Sequence, residues 1–291
     1  MDRRNFLRVV GAAGAAGATG MTGSDLLAAA KEDRDQYGIL VDLTRCAGCR
    51  MCELACAEAN GLPDPDWSDD HSYDRKREPT DKQWSAINRY ETSRGEVFVK
   101  QQCMHCLEPA CAAACLTKAM LKTEEGPVVW REDKCMGCRY CMLSCPFDVP
   151  KFEYDSPVPK IQKCRMCWEK LADGGVPACV ENCPNDALAF GKRSELLELA
   201  RQRIYGGPGE YVSHIYGEHE AGGTGVLYIS PVPFDELGFR TDLDTTSYPE
   251  LTRDFLTSVP MVLILWPAML FGIWQATRST DSDGAVESSE S

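Results

Sequence analysis

The chain has 291 residues, enough for one large domain or two ordinary ones around a sizeable core. Its formal net charge of −13 leaves no basic face to neutralise phosphates, which argues against nucleic acid as a partner and otherwise means a well-solvated surface. Sixteen cysteines are the outlying feature; many cysteines suggest disulfides in an exported protein and metal in a cytosolic one, so the ends of the chain bear on how its middle is read.

At the N-terminus, "MDRRNFLRVVGAAGAAGATG" sets Arg3 and Arg4 ahead of Asn5, Phe6, Leu7 and a mildly apolar Ala/Gly run. Residues 1–30 resemble a twin-arginine export signal, with Ala28, Ala29 and Ala30 as a small-residue cleavage site before Lys31. That route carries proteins already folded around their cofactors, which favours metal over disulfides for the cysteines.

Every cysteine falls between residues 37 and 200. Short β-like runs punctuate this region: "YGILVDL" before Cys46, "EVFVK" before Cys103, "PVVW" before Cys135 and "ALAF" after Cys183. Residues 57–94 are polar and charged and read as a surface insertion. Ser194 is a candidate cap for a helix over "ELLELARQRI", in which Leu196, Ala200 and Ile204 share one face. Residues 205–254 are rich in Gly and Pro turns, hold one strand-like run, "GVLYIS", and read as a connecting segment. Residues 255–276, "FLTSVPMVLILWPAMLFGIWQA", carry no charge and match the roughly 20 residues of a bilayer-spanning helix. Arg253 and Arg278 bracket them, Trp266 and Trp274 are candidate interface anchors, and an acidic tail over 277–291 follows.

The cysteines fall into four groups of four: Cys46, Cys49, Cys52, Cys56; Cys103, Cys106, Cys111, Cys115; Cys135, Cys138, Cys141, Cys145; and Cys164, Cys167, Cys179, Cys183. The first and third have the spacing C-x2-C-x2-C-x3-C, and the third, "CMGCRYCMLSCP", closes with Pro146. This is the spacing of bacterial ferredoxins, where the fourth cysteine serves the other cluster of a pair. Three thiolates three residues apart curl a tight loop around a cubane, and a fourth one turn further on faces away toward a neighbour. A repeated rhythm, Cys115-x-x-x-Ala119-Met120 and Cys183-x-x-x-Ala187-Leu188, points to one cluster-binding module used twice. Cysteines crowded into one loop serve disulfides poorly, and zinc ribbons stop at four ligands, although the fourth group standing alone would pass for zinc. Arg45, Arg50, Lys134, Arg139, Lys163 and Arg165 lie beside these cysteines, as cations that raise cluster potentials or as solvated surface charge. Among the four histidines, His71, His105, His214 and His219, none reads as a ligand; "GEHEAGGTG" around His219 reads as a turn.

Four such groups in this order resemble the four-cluster ferredoxin-like subunits of bacterial respiratory oxidoreductases. With "KQQCMHC", "CRYCMLSCPFDVPKFEYD", "HIYGEHEAGGTGVLYISPVPFDELG", the export signal and the apolar C-terminal run, the chain is similar to the HybA type of membrane-bound [NiFe] hydrogenases. The resemblance implies an α+β fold of duplicated bacterial ferredoxin-like domains binding four [4Fe–4S] clusters, with one C-terminal transmembrane helix. It implies a four-cluster domain over 31–204 and a periplasmic position on the cytoplasmic membrane. It also implies ligand sets: Cys46, Cys49, Cys52 and Cys183 for cluster 1; Cys103, Cys106, Cys111 and Cys145 for cluster 2; Cys135, Cys138, Cys141 and Cys115 for cluster 3; Cys164, Cys167, Cys179 and Cys56 for cluster 4. Ala57 and Leu116 depart from the ferredoxin pattern, standing where a proline would follow the fourth cysteine. The implied work is an electron relay, with no catalytic site of its own, between a catalytic subunit and an integral membrane quinone-reactive or cytochrome b subunit. Hydrogenase small and large subunits are the expected catalytic partner. The alternative is a molybdopterin subunit, with this chain as the β subunit of a formate dehydrogenase or related enzyme. A reading from another class is an exported structural protein stabilised by disulfides or zinc.

Overall fold

The computed structural model describes residues 35–66 and 72–283. The twin-arginine stretch, His71 and the last residues of the acidic tail lie outside them. In chain order the first elements are β1 (Tyr37–Asp42), α1 (Met51–Asn60), β2 (Ala86–Thr92), β3 (Gly95–Gln101) and α2 (Ala110–Ala113). Next come β4 (Met120–Lys122), β5 (Val128–Trp130), α3 (Tyr140–Leu143), β6 (Lys151–Phe152), β7 (Ile161–Gln162), α4 (Trp168–Ala172) and α5 (Ala178–Glu181). The chain ends with β8 (Leu188–Lys192), α6 (Arg193–Gly206), β9 (Val226–Ile229), α7 (Tyr248–Leu251) and α8 (Arg253–Asp283).

The apolar run of β1 is continuous because the strand is central and covered on both faces. It pairs antiparallel with β8, Val41 opposite Leu188, and parallel with β9, Ile39 opposite Val226. Leu40 points to α6 and packs with Leu196, Ala200, Leu227 and Ile229. Ile39 and Val41 point the other way, into the larger core with Ile87, Val99, Met104 and Met166. That second face is where the cysteines gather. The remaining strands are three antiparallel hairpins, β2–β3, β4–β5 and β6–β7.

Three sequence expectations are amended by this architecture. The supposed surface insertion is not all surface: Trp84, Ala86, Ile87 and Tyr90 are buried, and β2 pairs along its length with β3. Its apolar alternation was hidden by the charged residues that precede it. Residues 205–254 are more than a connection, since all four residues of β9 are buried at the edge of the central sheet. Ser194 does not cap α6, which already begins at Arg193. The capping acceptor is Asp35, whose carboxylate takes hydrogen bonds from the Ser194 backbone N–H (3.1 Å) and hydroxyl (2.5 Å).

Helix α8 runs for 31 residues, about 45 Å at the usual rise. It is long and apolar enough to cross a membrane, and none of its apolar stretch is buried against the rest of the molecule. Pro260 and Pro267 lie within it. Its base is tied to the cysteine-bearing body through the residue before α7: the Ser247 hydroxyl donates to Glu108 at 2.7 Å, two residues from α2.

Candidate metal centres

The four cysteine groups share one local design. The third cysteine of each is the second residue of a helix: Cys52 in α1, Cys111 in α2, Cys141 in α3 and Cys179 in α5. The residue before the second cysteine has a left-handed backbone in all four loops: Gly48 (φ 69°), His105 (φ 48°), Gly137 (φ 72°) and Met166 (φ 55°). Switching handedness there turns successive N–H groups toward one side, an anion-binding concavity suited to thiolates and sulfides. His105 and Met166 hold this conformation without glycine's freedom, a strain of order 1–2 kcal/mol each. Both side chains are buried, which holds the loop in place.

Cavities open where the loops face one another. Cys46, Cys49, Cys52 and Cys183 line one; Cys56, Cys164, Cys167 and Cys179 line a second; Cys115, Cys135, Cys138 and Cys141 line a third. The three are alike in size and each is partly open to solvent. Cys103, Cys106, Cys111 and Cys145 form the remaining group: burial drives the Cys106 thiol well above its ordinary range, and its neighbours Cys103, Cys145 and Cys111 push the same way.

Electrostatic neighbours across groups give their order in space. Burial raises Cys52, and Cys179 of the second cavity adds to the rise. Cys164 is pushed up to about 12 by burial, with Cys103 among the contributors. Cys111 is likewise pushed up to about 12 by burial, with Cys141 among the contributors. Helix α1 packs on α5, Lys163 joins Cys103 to the Cys164 carbonyl, and α2 packs on α3, so the sequence of sites is Cys46/Cys183, Cys56/Cys164, Cys103/Cys145, Cys115/Cys141. Cys49 and Cys138, at the two ends of this line, are the exposed cysteines; the other fourteen are buried or half-buried.

Two buried lysines sit in the line. Lys100 of β3, 2 % exposed, lines both the first and second cavities and donates to the Gln102 side-chain oxygen. The desolvation it suffers is outweighed by Cys179, Cys52, Cys164 and Cys56, which hold its ammonium charged. Lys163 lies between the second and third sites and donates to the carbonyl oxygens of Val128 and Cys164. Lys100 was not among the cations flagged by sequence, because it lies three residues from the nearest cysteine and reaches the cavities only through the β2–β3 hairpin. Of the flagged cations, Arg50 is buried on Glu53 (2.9 Å), Arg45 pairs with Asp42 (3.5 Å) and Arg165 covers the Trp84 ring (5.1 Å). Arg139 lies over Phe152 (5.2 Å), and Lys134 is exposed.

The three described histidines make contacts within the fold. Burial, reinforced by Lys163, Lys122 and Lys100, holds His105 well below its ordinary pKa, so it is neutral and its Nδ1 accepts the Val128 N–H at 2.9 Å. His214 pairs with Glu220 at 2.7 Å, and His219 lies on the surface of the turn that follows. That turn is held by the Arg193 guanidinium, which donates to the carbonyls of Thr224, Gly217 and Glu218.

Do these sites fit a cluster? A single zinc ion draws four sulfurs to about 2.3 Å from one point and leaves no cavity between them. Among the described residues, no three His, Cys, Asp or Glu side chains converge in that way. Thiols spaced around a cavity, with buried cations and inward N–H groups, fit an anionic cubane. A chain holding several such sites in a row is an iron–sulfur electron-transfer protein.

Known proteins bear this out. Residues 95–193 match the 4Fe–4S dicluster domain family. A protein of Nitratidesulfovibrio vulgaris is 46% identical over 100% of this chain and 80% of its own length. The hydrogenase-2 operon protein HybA of Escherichia coli O157:H7 is 34% identical over 81% of this chain and 83% of its own length. The iron–sulfur subunit of the nitrate-inducible formate dehydrogenase of Escherichia coli K12 is 33% identical over 65% of this chain and 66% of its own. The chain belongs to the HybA family of iron–sulfur electron-transfer subunits, and its cofactors are [4Fe–4S] clusters.

Proposed function

We propose that the sixteen cysteines hold four clusters, ligated by Cys46, Cys49, Cys52 and Cys183; by Cys56, Cys164, Cys167 and Cys179; by Cys103, Cys106, Cys111 and Cys145; and by Cys115, Cys135, Cys138 and Cys141. Bound there, each cluster supplies a one-electron redox centre. The order of the sites in space makes the path run from cluster 1 to cluster 4, then to cluster 2 and cluster 3. The observation that carries this is the exposure of Cys49 and Cys138 at the two ends of a line whose middle is covered. Around cluster 3, Leu116, Met136, Tyr140 and Leu143 are exposed apolar side chains, a surface suited to a protein partner. Helix α2, which precedes Cys115, packs on α7 at the root of α8, so the cluster 3 end is read as the membrane end and the cluster 1 end as the one that meets the catalytic subunit.

The partner proposed is a hydrogenase. The likeness to HybA extends over 81% of the chain, against 65% for the formate dehydrogenase subunit. Export by the twin-arginine route to the periplasmic face, with α8 crossing the membrane and a quinone-reactive or cytochrome b subunit receiving the electrons, completes the reading.

Air-free protein purified with its native partners is expected to be brown and to hold about 16 irons per chain, four for each of four clusters. In membranes, hydrogen is expected to bleach the clusters. Bleaching by formate alone would transfer the chain to a formate dehydrogenase, and colourless protein containing zinc would end the relay reading.

A further inference from the structure

Ten buried side-chain polar atoms among the described residues lack a hydrogen-bond partner, and four of them belong to residues lining one cavity. They are Trp84 Nε1, Ser85 Oγ, Gln102 Nε2 and Arg165 Nε, around Cys56, Cys164, Cys167 and Cys179. All four are donors. Trp84, Ser85 and Gln102 are 4%, 2% and 4% exposed, so bulk solvent does not reach these atoms. Their orientations are fixed by neighbours. The Gln102 oxygen accepts from Lys100, which leaves its NH2 as the free end, and the Trp84 indole lies under the Arg165 guanidinium. Buried donors are paired in native proteins, and four of them around one thiol-lined cavity point to an acceptor in it.

The cavity lined by Cys46 and Cys183 is different. Beyond the cysteines its walls are mainly apolar, Val41, Ile87 and Leu188 among them, its polar members are Arg50, Lys100 and Asn185, and none of the unpartnered atoms belongs to it. The third cavity has one, Trp130 Nε1.

We infer that Trp84, Ser85, Gln102 and Arg165 donate hydrogen bonds to the sulfurs of cluster 4 and set its potential above that of cluster 1. The inference rests on the ligand sets proposed above. An oxidised cubane with four thiolates carries about −2, and one electron takes it to about −3. Donors stabilise the more negative state more, so they raise the potential. Lys100 touches both cavities and each has one arginine, Arg50 in the first and Arg165 in the second, so it is the neutral donors Trp84, Ser85 and Gln102 that separate them. An electron arriving at cluster 1 would then move downhill to cluster 4, and the first step inward would be favoured over return.

The test is a redox titration followed by electron paramagnetic resonance on the full chain in its native complex. The cluster 4 signal is assigned as the one altered by Cys167→Ser. Trp84→Phe and Ser85→Ala each delete one donor, the first with the ring that carries it and the second with a single oxygen. In iron-replete protein the double variant is expected to lower the cluster 4 reduced-to-oxidised ratio about tenfold at fixed potential, a shift of about 59 mV for one electron. The other three midpoints should stay put, and Trp130→Phe should move cluster 3 instead. Each single variant should also lose one exchangeable proton coupling from the reduced cluster 4 spectrum. If Trp84→Phe loses iron, Ser85→Ala decides, since it removes a single oxygen. Unchanged midpoints and couplings at full iron content would overturn the inference and leave the relay standing, whereas absence of cubane signals in the unaltered protein would sink the relay itself.

Discussion

The ammonium nitrogen of Lys163 lies 3.7 Å from the sulfur of Cys103, although Lys163 is the sequence neighbour of Cys164, which lines a different cavity. One buried cation thus touches two successive sites. Lys163→Met is expected to lower the potentials of clusters 2 and 4 together, because both lose the same charge. It also strips the donor from the carbonyls of Val128 and Cys164, and removing one member of a buried charged arrangement costs about 3–5 kcal/mol. Redox titration and anaerobic thermal unfolding of the same preparation check the two effects.

Glu53 follows Cys52 in α1 and is 2% exposed. Its carboxylate accepts from Arg50 Nε at 2.9 Å, Arg77 Nη2 at 2.8 Å, Gln83 Nε2 at 2.9 Å and the Ile87 N–H at 2.5 Å. It therefore clamps the first cysteine helix to β2. Glu53→Gln leaves two guanidinium groups facing a neutral amide, and a loss of about 3–5 kcal/mol follows, or roughly 10 °C in unfolding midpoint for a domain of this size. An unchanged midpoint in differential scanning calorimetry would refute it.

Two glycines in equivalent loops should behave differently. Gly48 and Gly137 have matching φ of 69° and 72°, but a Cβ on Gly48 would lie 2.4 Å from the Phe98 ring, whereas one on Gly137 meets nothing within 4 Å. Gly137→Ala is expected to cost about 1–2 kcal/mol of backbone strain and keep full iron. Gly48→Ala has to displace either Phe98 or the Cys46–Cys49 loop, and should lose about four irons per chain. Iron analysis of the two purified variants separates them.

A chain ending at Thr252 removes the whole of α8. With Leu263, Ile264, Leu265 and Trp266 no longer exposed, it should need no detergent and move from the membrane to the soluble fraction, while holding its clusters. Cell fractionation with iron analysis checks both halves of this.

Much of this molecule was legible in its sequence because sulfur chemistry is local. Spacings of two and three residues marked out the cysteine groups, and β1, β3, β5, β8 and β9 each showed an apolar run. What escaped was what the fold brings from a distance. Lys100 is an ordinary-looking residue at the end of "EVFVK", and only the β2–β3 hairpin carries it between two cavities. Trp84 and Ser85 sit in a stretch so polar that it read as surface. Asp35 caps a helix that begins at Arg193, a relation no window along the chain can contain. Strands β6 and β7 have two residues each, too few for any alternation to register.

Cys46 and Cys183 line the same cavity although all fourteen other cysteines lie between them in the chain. A ribosome has therefore to synthesise the whole cysteine region before this mould can close. The site that opens with the first cysteine is thus the last to be completed: the cysteines of the two sites that are inner in sequence are all in place by Cys145, those of this one only at Cys183. Any machinery that moves this protein to another compartment must receive it after that point, and a shortened product ending before Cys183 would be left with an open site.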